Sequence, residues 1–67
     1  MIGDRVMVDL HDGKIDLPAD QWVSINVFCL RTGKCVDSRR TRAYDANAHR
    51  DHLDRLYGER FSAEIEC

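Results

Sequence analysis

The sequence predicts a small two-layer α+β domain, in which one helix packs on one face of a mostly antiparallel sheet. Three observations predict this fold class. Apolar and polar residues alternate on both sides of an early Asp-Gly pair, residues 44–57 change to a helical period, and residues 61–67 return to alternation. The element order is therefore β-β-β-β-α-β, and one helix over one sheet face is a simple way to bury such a sheet.

The first two strands form a predicted hairpin around the Asp-Gly pair at positions 12 and 13, because this dipeptide between alternating segments is a strong hairpin signal. With these two residues as the turn, Leu10 lies opposite Ile15 and Val8 lies opposite Leu17. The apolar residues then share one face of the hairpin and the polar residues share the other.

The next two strands form a second predicted hairpin. Pro18 ends the second strand, since proline cannot donate to a strand ladder, and residues 22–30 make the third. Both faces of this third strand carry apolar side chains, which indicates a central position in the sheet. After a turn at residues 31–34, Cys35–Arg42 has almost no apolar residue and several arginines, which is typical of an edge strand.

Residues 44–57 form a predicted amphipathic helix, since their apolar residues recur at steps of about 100°. The apolar face consists of Ala46, His49, Leu53, Leu56 and Tyr57, and the opposite face carries Asn47, Asp51, Asp54 and Arg55. Asp45 is the predicted N-cap, Gly58 ends the helix, and Asp51 with Arg55 is a predicted ion pair. The helix is a crossover, so the final strand should run parallel to the fourth if both belong to one sheet.

The composition is that of one folded domain, residues 1–67. Hydrophobic residues make up 43% of the chain and charged residues 33%, unlike the apolar-poor chains that stay disordered. The start of the chain does not resemble a secretory signal, and no apolar segment approaches the length of a membrane span. With three cysteines and no signal, reduced thiols are favoured, and we expect a cytoplasmic protein without a membrane partner.

The charge is polarised although the net charge is only −2. Residues 31–42, called here the basic hairpin, carry five cations and one carboxylate, whereas residues 1–30 and 43–67 are each at −3. The cations of the basic hairpin are Arg31, Lys34, Arg39, Arg40 and Arg42. Arginine suits bidentate contact with phosphate or carboxylate, so these five residues are the first candidate binding site. Strand alternation sends Arg40 and Arg42 to one side and Arg39 to the other.

Two interpretations of the basic hairpin remain beside protein binding. One is direct nucleic-acid binding, and the other is a solvated edge strand whose arginines prevent aggregation and pair with Asp37 and the helix carboxylates. A sequence pI near 5.8 counts against a general nucleic-acid coat, since such domains are usually basic. The five aromatic residues are partly needed for the core, so the sequence predicts no stacking platform among the cations.

A weaker candidate site is the acidic surface of the first hairpin and the loop after it. Its carboxylates are Asp9, Asp12, Asp16 and Asp20. Glu64 and Glu66 add two more on the solvent side of the last strand. Such a surface suits a basic groove on a larger protein, where opposite charge steers the encounter.

The lowest-ranked candidate is a structural zinc site formed by Cys29, Cys35, His49 and His52. Five residues separate the cysteines and two separate the histidines, which departs from the usual spacing. A three-residue loop with a bulge would place Cys29 opposite Cys35, whereas a two-residue turn would place them on opposite faces. We therefore predict no metal site and small apolar roles for both cysteines.

No nucleophile elbow, phosphate-binding loop or H-E-x-x-H motif is present in the sequence, so we expect neither enzyme activity nor a small-molecule cofactor. The leading hypothesis is a non-enzymatic binding module that occupies a charged surface of a larger protein or nucleoprotein complex. It would act as a regulator, an adaptor, a bacterial accessory protein or an inhibitor of the phage or mobile-element type. Nucleic-acid binding through residues 31–42 is the alternative, and a zinc-stabilised domain is the weaker one. A monomer is favoured over a homodimer, because arginines on the edge strand repel a second copy.

Overall fold

The computed structural model describes residues 4–66 and contains the six predicted elements in the predicted order. They are β1 (Arg5–Leu10), β2 (Gly13–Pro18), β3 (Trp22–Cys29), β4 (Cys35–Arg42), α1 (Ala43–Tyr57) and β5 (Phe61–Glu66). The α+β fold class is confirmed. Cys67, the predicted end of the last strand, lies outside the described residues. In the part of the chain that the structure describes, α1 is neither long nor apolar enough to cross a bilayer.

The strands form two sheets that share one helix. β3 is the central strand of the order β4-β3-β5, and both of its neighbours run antiparallel to it. β4 and β5 are therefore parallel to each other with β3 between them, as the predicted crossover requires. β1 and β2 pair only with each other, and α1 contacts β1, β3, β4 and β5.

The first hairpin forms, but its predicted register is wrong by two residues. Leu10 pairs with Gly13 and Val8 pairs with Ile15, so the turn consists of residues 11 and 12. A two-residue turn centred on Asp-Gly needs a positive φ at both positions, and among the described residues only glycines have one. Because the shift is two residues, each side chain stays on its predicted face.

The core lies between α1 and one face of each sheet. Its buried residues are Val8, Leu17, Val23, Ile25, Val27, Ala43, Ala46, Leu53, Ala63 and Ile65. The odd-numbered residues of β3 face this core, and the predicted central position of that strand is confirmed. The position of β4 at the sheet edge is confirmed as well.

The inward face of α1 differs from the predicted one. Leu53 is fully buried, but Leu56 is 62% exposed and does not belong to the apolar face. Asn47 and Asp54 were predicted to face solvent, but both form hydrogen bonds with the backbone of a strand. Asn47 uses its Oδ1 and Nδ2 atoms to bond to β1, and Asp54 Oδ1 accepts a hydrogen bond from the amide of Ala63 at 2.9 Å. Because these two polar side chains bond to strands, the orientation of the helix differs from the one that the apolar residues alone predicted.

The structure contradicts two predicted details of α1 and confirms a third. The N-cap is Arg42, in extended conformation and without a side-chain capping bond, because β4 runs directly into the helix; Asp45 lies inside the first turn. The predicted pair of Asp51 with Arg55 is replaced by Arg50, whose Nη2 lies 2.9 Å from Asp51. Gly58 ends the helix with φ of 88°, a left-handed conformation that favours glycine.

Candidate binding surface

The three-stranded sheet turns one face to α1 and the other away from it. The second face, called here the outer face, carries the even-numbered residues that alternate with the core residues of β3 and β5. They are Trp22, Ser24, Asn26 and Phe28 on β3, Ser38, Arg40 and Arg42 on β4, and Ser62, Glu64 and Glu66 on β5. None of these side chains is buried, so the outer face is accessible to a partner.

Two arginines of β4 converge on the indole ring of Trp22. Arg42 pairs with Trp22 in the ladder, and its guanidinium carbon lies 3.9 Å from the ring centroid. The guanidinium carbon of Arg40 lies 5.4 Å from the same centroid. Both distances fall within the range of about 6 Å for cation–π attraction. We call these three residues the Trp–Arg cluster.

The Trp–Arg cluster is partly fixed by a hydrogen bond within the chain. Arg42 Nη1 donates a 2.6 Å hydrogen bond to the backbone carbonyl of Asp20, which holds the guanidinium against the ring. Trp22 nevertheless remains 49% exposed. A partly fixed and exposed aromatic group loses little conformational entropy when it is bound.

The charges of the cluster are not neutralised by the described part of the chain. Within residues 4–66, no carboxylate oxygen lies within 4.0 Å of a side-chain nitrogen of Arg40 or Arg42. Some of the other arginines do have such partners: Arg5 pairs with Asp16 at 3.0 Å, and Arg39 with Asp37 at 3.3 Å. An aromatic ring attracts a guanidinium without removing its charge, so the cluster keeps its capacity for an anion.

The outer face is positive along β4 and negative along β5. Glu66 accepts a 2.6 Å hydrogen bond from Asn26 Nδ2, and Ser38 Oγ donates to Asn26 Oδ1 at 2.7 Å. This polar row links the three strands. Since β3 separates β4 from β5, the positive and negative edges lie about 10 Å apart, or two strand spacings.

The five cations of the basic hairpin lie in three separate places. Arg40 and Arg42 are on the outer face, and Arg39 is on the opposite side, as alternation predicted. Arg31 and Lys34 lie at the far end of the hairpin, and from Lys34 to Arg42 the chain spans roughly 25 Å of strand. The structure therefore joins two of the five candidates and adds Trp22 to them.

The acidic candidates do not form one uniform patch either. Asp16 pairs with Arg5 at 3.0 Å, and Asp9 lies 3.9 Å from Lys14 Nζ. Asp12 is exposed in the turn of the first hairpin, and Asp20 is exposed in the loop before β3. Within residues 4–66, only Asp12 and Asp20 of this set have no cationic side-chain nitrogen within 4.0 Å of their carboxylate oxygens.

The candidate zinc ligands are not brought together. The loop between β3 and β4 has five residues, 30–34, and the amide of Cys29 donates to the carbonyl of Lys34 at 2.9 Å. Cys35 consequently pairs with Phe28 and not with Cys29. The rings of His49 and His52 lie 6.4 Å apart. Among residues 4–66, no three Cys, His, Asp or Glu side chains are grouped as a metal ion would require.

The Cys29 thiol has an environment that the sequence did not suggest. Its pKa is lowered from the ordinary 9.0, first by the hydroxyl of Thr32 and then by the backbone amides of Thr32 and Arg31. These donors come from the loop between β3 and β4, whose Gly33 amide donates to the Cys29 carbonyl at 2.7 Å. The thiolate of Cys29 is therefore more stable than that of an ordinary thiol, because these hydrogen bonds to the charged sulfur outweigh the opposing effect of burial.

Sequence reasoning missed Trp22 as part of the basic site. The signal was available in the second hairpin: once Cys35–Arg42 is paired back on the third strand, the first residue of one strand faces the last residue of the other. Trp22 and Arg42 are those two residues. Arg40 shares their face because it lies two positions from Arg42.

Comparisons of the chain with protein-family models, with curated proteins and with solved structures give no match. The fold and the surface define a small α+β domain with an accessible sheet face and an exposed aromatic–cation cluster. Fold class alone does not determine function, so function has to be inferred from this surface.

Proposed function

We propose that this protein is a non-enzymatic binding module that occupies a surface of a larger protein or nucleoprotein complex. The Trp–Arg cluster is the centre of the contact, and the rest of the outer face surrounds it. The observation that carries the proposal is the convergence of Arg40 and Arg42 on an indole that is 49% exposed. Tryptophan and arginine are among the residue types that contribute most to protein–protein binding energy.

The contact uses the face of the sheet and not its open edge. β4 has a bulge near Val36, where its register with β3 shifts. The amide of Ser38 is bonded to Asp37 Oδ1 at 2.8 Å, which occupies one donor on this strand. Bulges and charged side chains on an edge discourage pairing with another strand. This supports a monomer that presents its outer face to a different protein.

Direct nucleic-acid binding is the second candidate, and the same cluster favours it, because bases stack on exposed aromatic rings beside arginines. Glu64 and Glu66 weigh against it. They lie on the same face as Arg40 and Arg42, so a strand of phosphates crossing this face would meet carboxylates. A protein surface can instead match both the positive and the negative edge.

The experiment that tests the proposal compares two charge reversals in the same hairpin. Arg40→Glu with Arg42→Glu changes the outer face, and Arg31→Glu with Lys34→Glu makes the same change of charge at the far end of the hairpin. Each protein is immobilised, a cell lysate is passed over it, and the captured proteins are quantified by mass spectrometry. We expect a specific protein to be lost with the first variant and kept with the second.

Two outcomes would contradict the proposal. In one, both variants capture the same proteins as the wild type, so the outer face has no role. In the other, nuclease treatment of the lysate removes every captured component, which would favour nucleic-acid binding. Circular dichroism of each variant verifies that both remain folded.

A further inference from the structure

Building on the proposed function, we infer that the partner presents an extended acidic segment, whose carboxylates bind Arg40 and Arg42 beside the indole of Trp22. Each guanidinium is attracted to the ring but has no carboxylate within 4.0 Å in residues 4–66. Two like charges held near one ring favour an anion that approaches both of them. The acidic side chains among residues 4–66 leave this position open.

Carboxylates fit the donors that remain. A guanidinium has five N–H groups in a planar fork, and the bond from Arg42 to the Asp20 carbonyl uses one of its nitrogens. The other donors of Arg42, and those of Arg40, can bind carboxylate oxygens in bidentate geometry. The indole excludes water from one side of the arginines, and charge-assisted hydrogen bonds are stronger where water is excluded.

The spacing of the two arginines matches an extended segment. Arg40 and Arg42 lie two residues apart on one strand and face the same side, which is about 7 Å along the strand. A partner in extended conformation repeats its side chains on one side with the same period. Acidic residues separated by one residue can therefore each meet one arginine, whereas adjacent acidic residues point to opposite sides.

The negative edge of the outer face limits the length and chemistry of this segment. Glu64 and Glu66 lie about 10 Å from β4, across β3. A short acidic segment can follow β4 and avoid them, but a long polyanion that crosses the sheet cannot. This distinguishes an acidic peptide from a nucleic acid strand, which carries a phosphate on every nucleotide.

The test measures binding of two fluorescently labelled peptides of identical composition by anisotropy. In the first peptide, aspartates alternate with serines, and in the second, aspartates are grouped as adjacent pairs. The wild type is compared with Arg40→Gln/Arg42→Gln and with the matched control Arg31→Gln/Lys34→Gln. We expect the alternating peptide to bind more tightly than the paired one, and its affinity to fall about tenfold or more in the first variant and less than about twofold in the control.

Emission from Trp22, the single tryptophan of the chain, gives a second readout. It should change with the alternating peptide in the wild type and in the control variant. Raising the salt from about 50 to about 200 mM should weaken binding, because the contact is ionic. Folding of each variant is verified by its thermal unfolding curve.

Four results would overturn the inference. Equal weakening of peptide binding by both variants would show that the peptide is attracted to the overall charge. Equal affinity for the two peptides would exclude recognition of an extended segment. If a single-stranded oligonucleotide bound more tightly than the peptides through the same arginines, the partner would be a nucleic acid and not an acidic peptide. If capture from lysate depends on Arg40 and Arg42 but neither peptide binds, the inference fails while the proposed function stands.

Discussion

Tyr57 at the end of α1 donates a 2.6 Å hydrogen bond from its hydroxyl to Asp37 Oδ2 on β4, which fastens the helix to the edge strand. The bond lowers the pKa of Asp37 from its ordinary value of 3.8 and raises the pKa of Tyr57 above 10.0. Because the carboxyl pKa is lowered in the folded state, the stabilisation is present above pH 3.8 and is lost as the pH falls through the folded-state value. Because the pKa of Tyr57 is raised in the folded state, the stabilisation linked to its titration is present below pH 10.0 and is lost as the pH rises through the raised value.

Tyr57→Phe should therefore destabilise the protein at pH 7, and the difference from the wild type should become smaller as the pH falls below 3.8. Thermal unfolding followed by circular dichroism over this pH range measures it. Tyr44→Phe is the matched control, since Tyr44 lies on the same helix and is 67% exposed. A loss of stability in Tyr57→Phe that is the same at every pH would contradict the role given to this hydrogen bond.

The orientation of α1 is tested by two leucines of the same helix. Leu53 is fully buried among the core residues, whereas Leu56 is 62% exposed. Leu53→Ala should cost about 2–5 kcal/mol of unfolding free energy, and Leu56→Ala should change it by less than about 0.5 kcal/mol. Urea denaturation gives both values. Similar losses of unfolding free energy in the two variants would mean that Leu56 lies on the buried face of the helix, as the apolar periodicity alone predicted.

Much of the fold followed from the sequence because strand alternation is a local property. The bounds of β4, its edge position and the central position of β3 depend on which residues are apolar, and all three were predicted. The turn of the first hairpin was not, since Asp12 does not adopt the positive φ that the predicted turn requires.

The helix face and the Trp–Arg cluster depend on contacts between distant parts of the chain. Asn47 and Asp54 face inward because strand amides need acceptors there, and an apolar pattern cannot show this. The cluster required the register that pairs Trp22 with Arg42.

The side chain of Asn47 attaches the first hairpin to α1. Its Oδ1 accepts the amide of Asp9 at 2.9 Å, and its Nδ2 donates to the carbonyl of Met7 at 2.9 Å. Asn47→Ala would leave the partly buried Asp9 amide and the exposed Met7 carbonyl without these bonds, so we expect a loss of about 1–3 kcal/mol. Amide exchange of Asp9, measured by NMR, should accelerate in this variant.

Asn26→Ala is the control for this prediction, because Asn26 also makes two side-chain hydrogen bonds, but to exposed partners on the outer face. Its effect on stability should be smaller than that of Asn47→Ala, since water can replace exposed hydrogen bonds. If the Asp9 amide exchanged at the same rate in both variants, Asn47 would not be the attachment of the hairpin.

The two described cysteines should react at different rates with an alkylating reagent. Cys29 has a lowered pKa because the Thr32 hydroxyl, followed by the amides of Thr32 and Arg31, stabilises its thiolate. Below the ordinary thiol value of 9.0, a larger fraction of Cys29 is therefore ionised, and the thiolate is the nucleophile. Iodoacetamide labelling near pH 7, resolved by peptide mass spectrometry, should modify Cys29 faster than its partial burial alone would allow.

Thr32→Val removes the hydroxyl and keeps the shape of the side chain, so it separates the pKa effect from access to the sulfur. In this variant the labelling rate of Cys29 should be lower than in the wild type near pH 7. The two rates should become similar above pH 9, where Cys29 is ionised in both proteins. Cys35, which is exposed and donates to the Asp37 carbonyl at 3.2 Å, serves as the internal reference. A rate for Cys29 that is unchanged by Thr32→Val at every pH would mean that the loop after β3 does not activate this thiol.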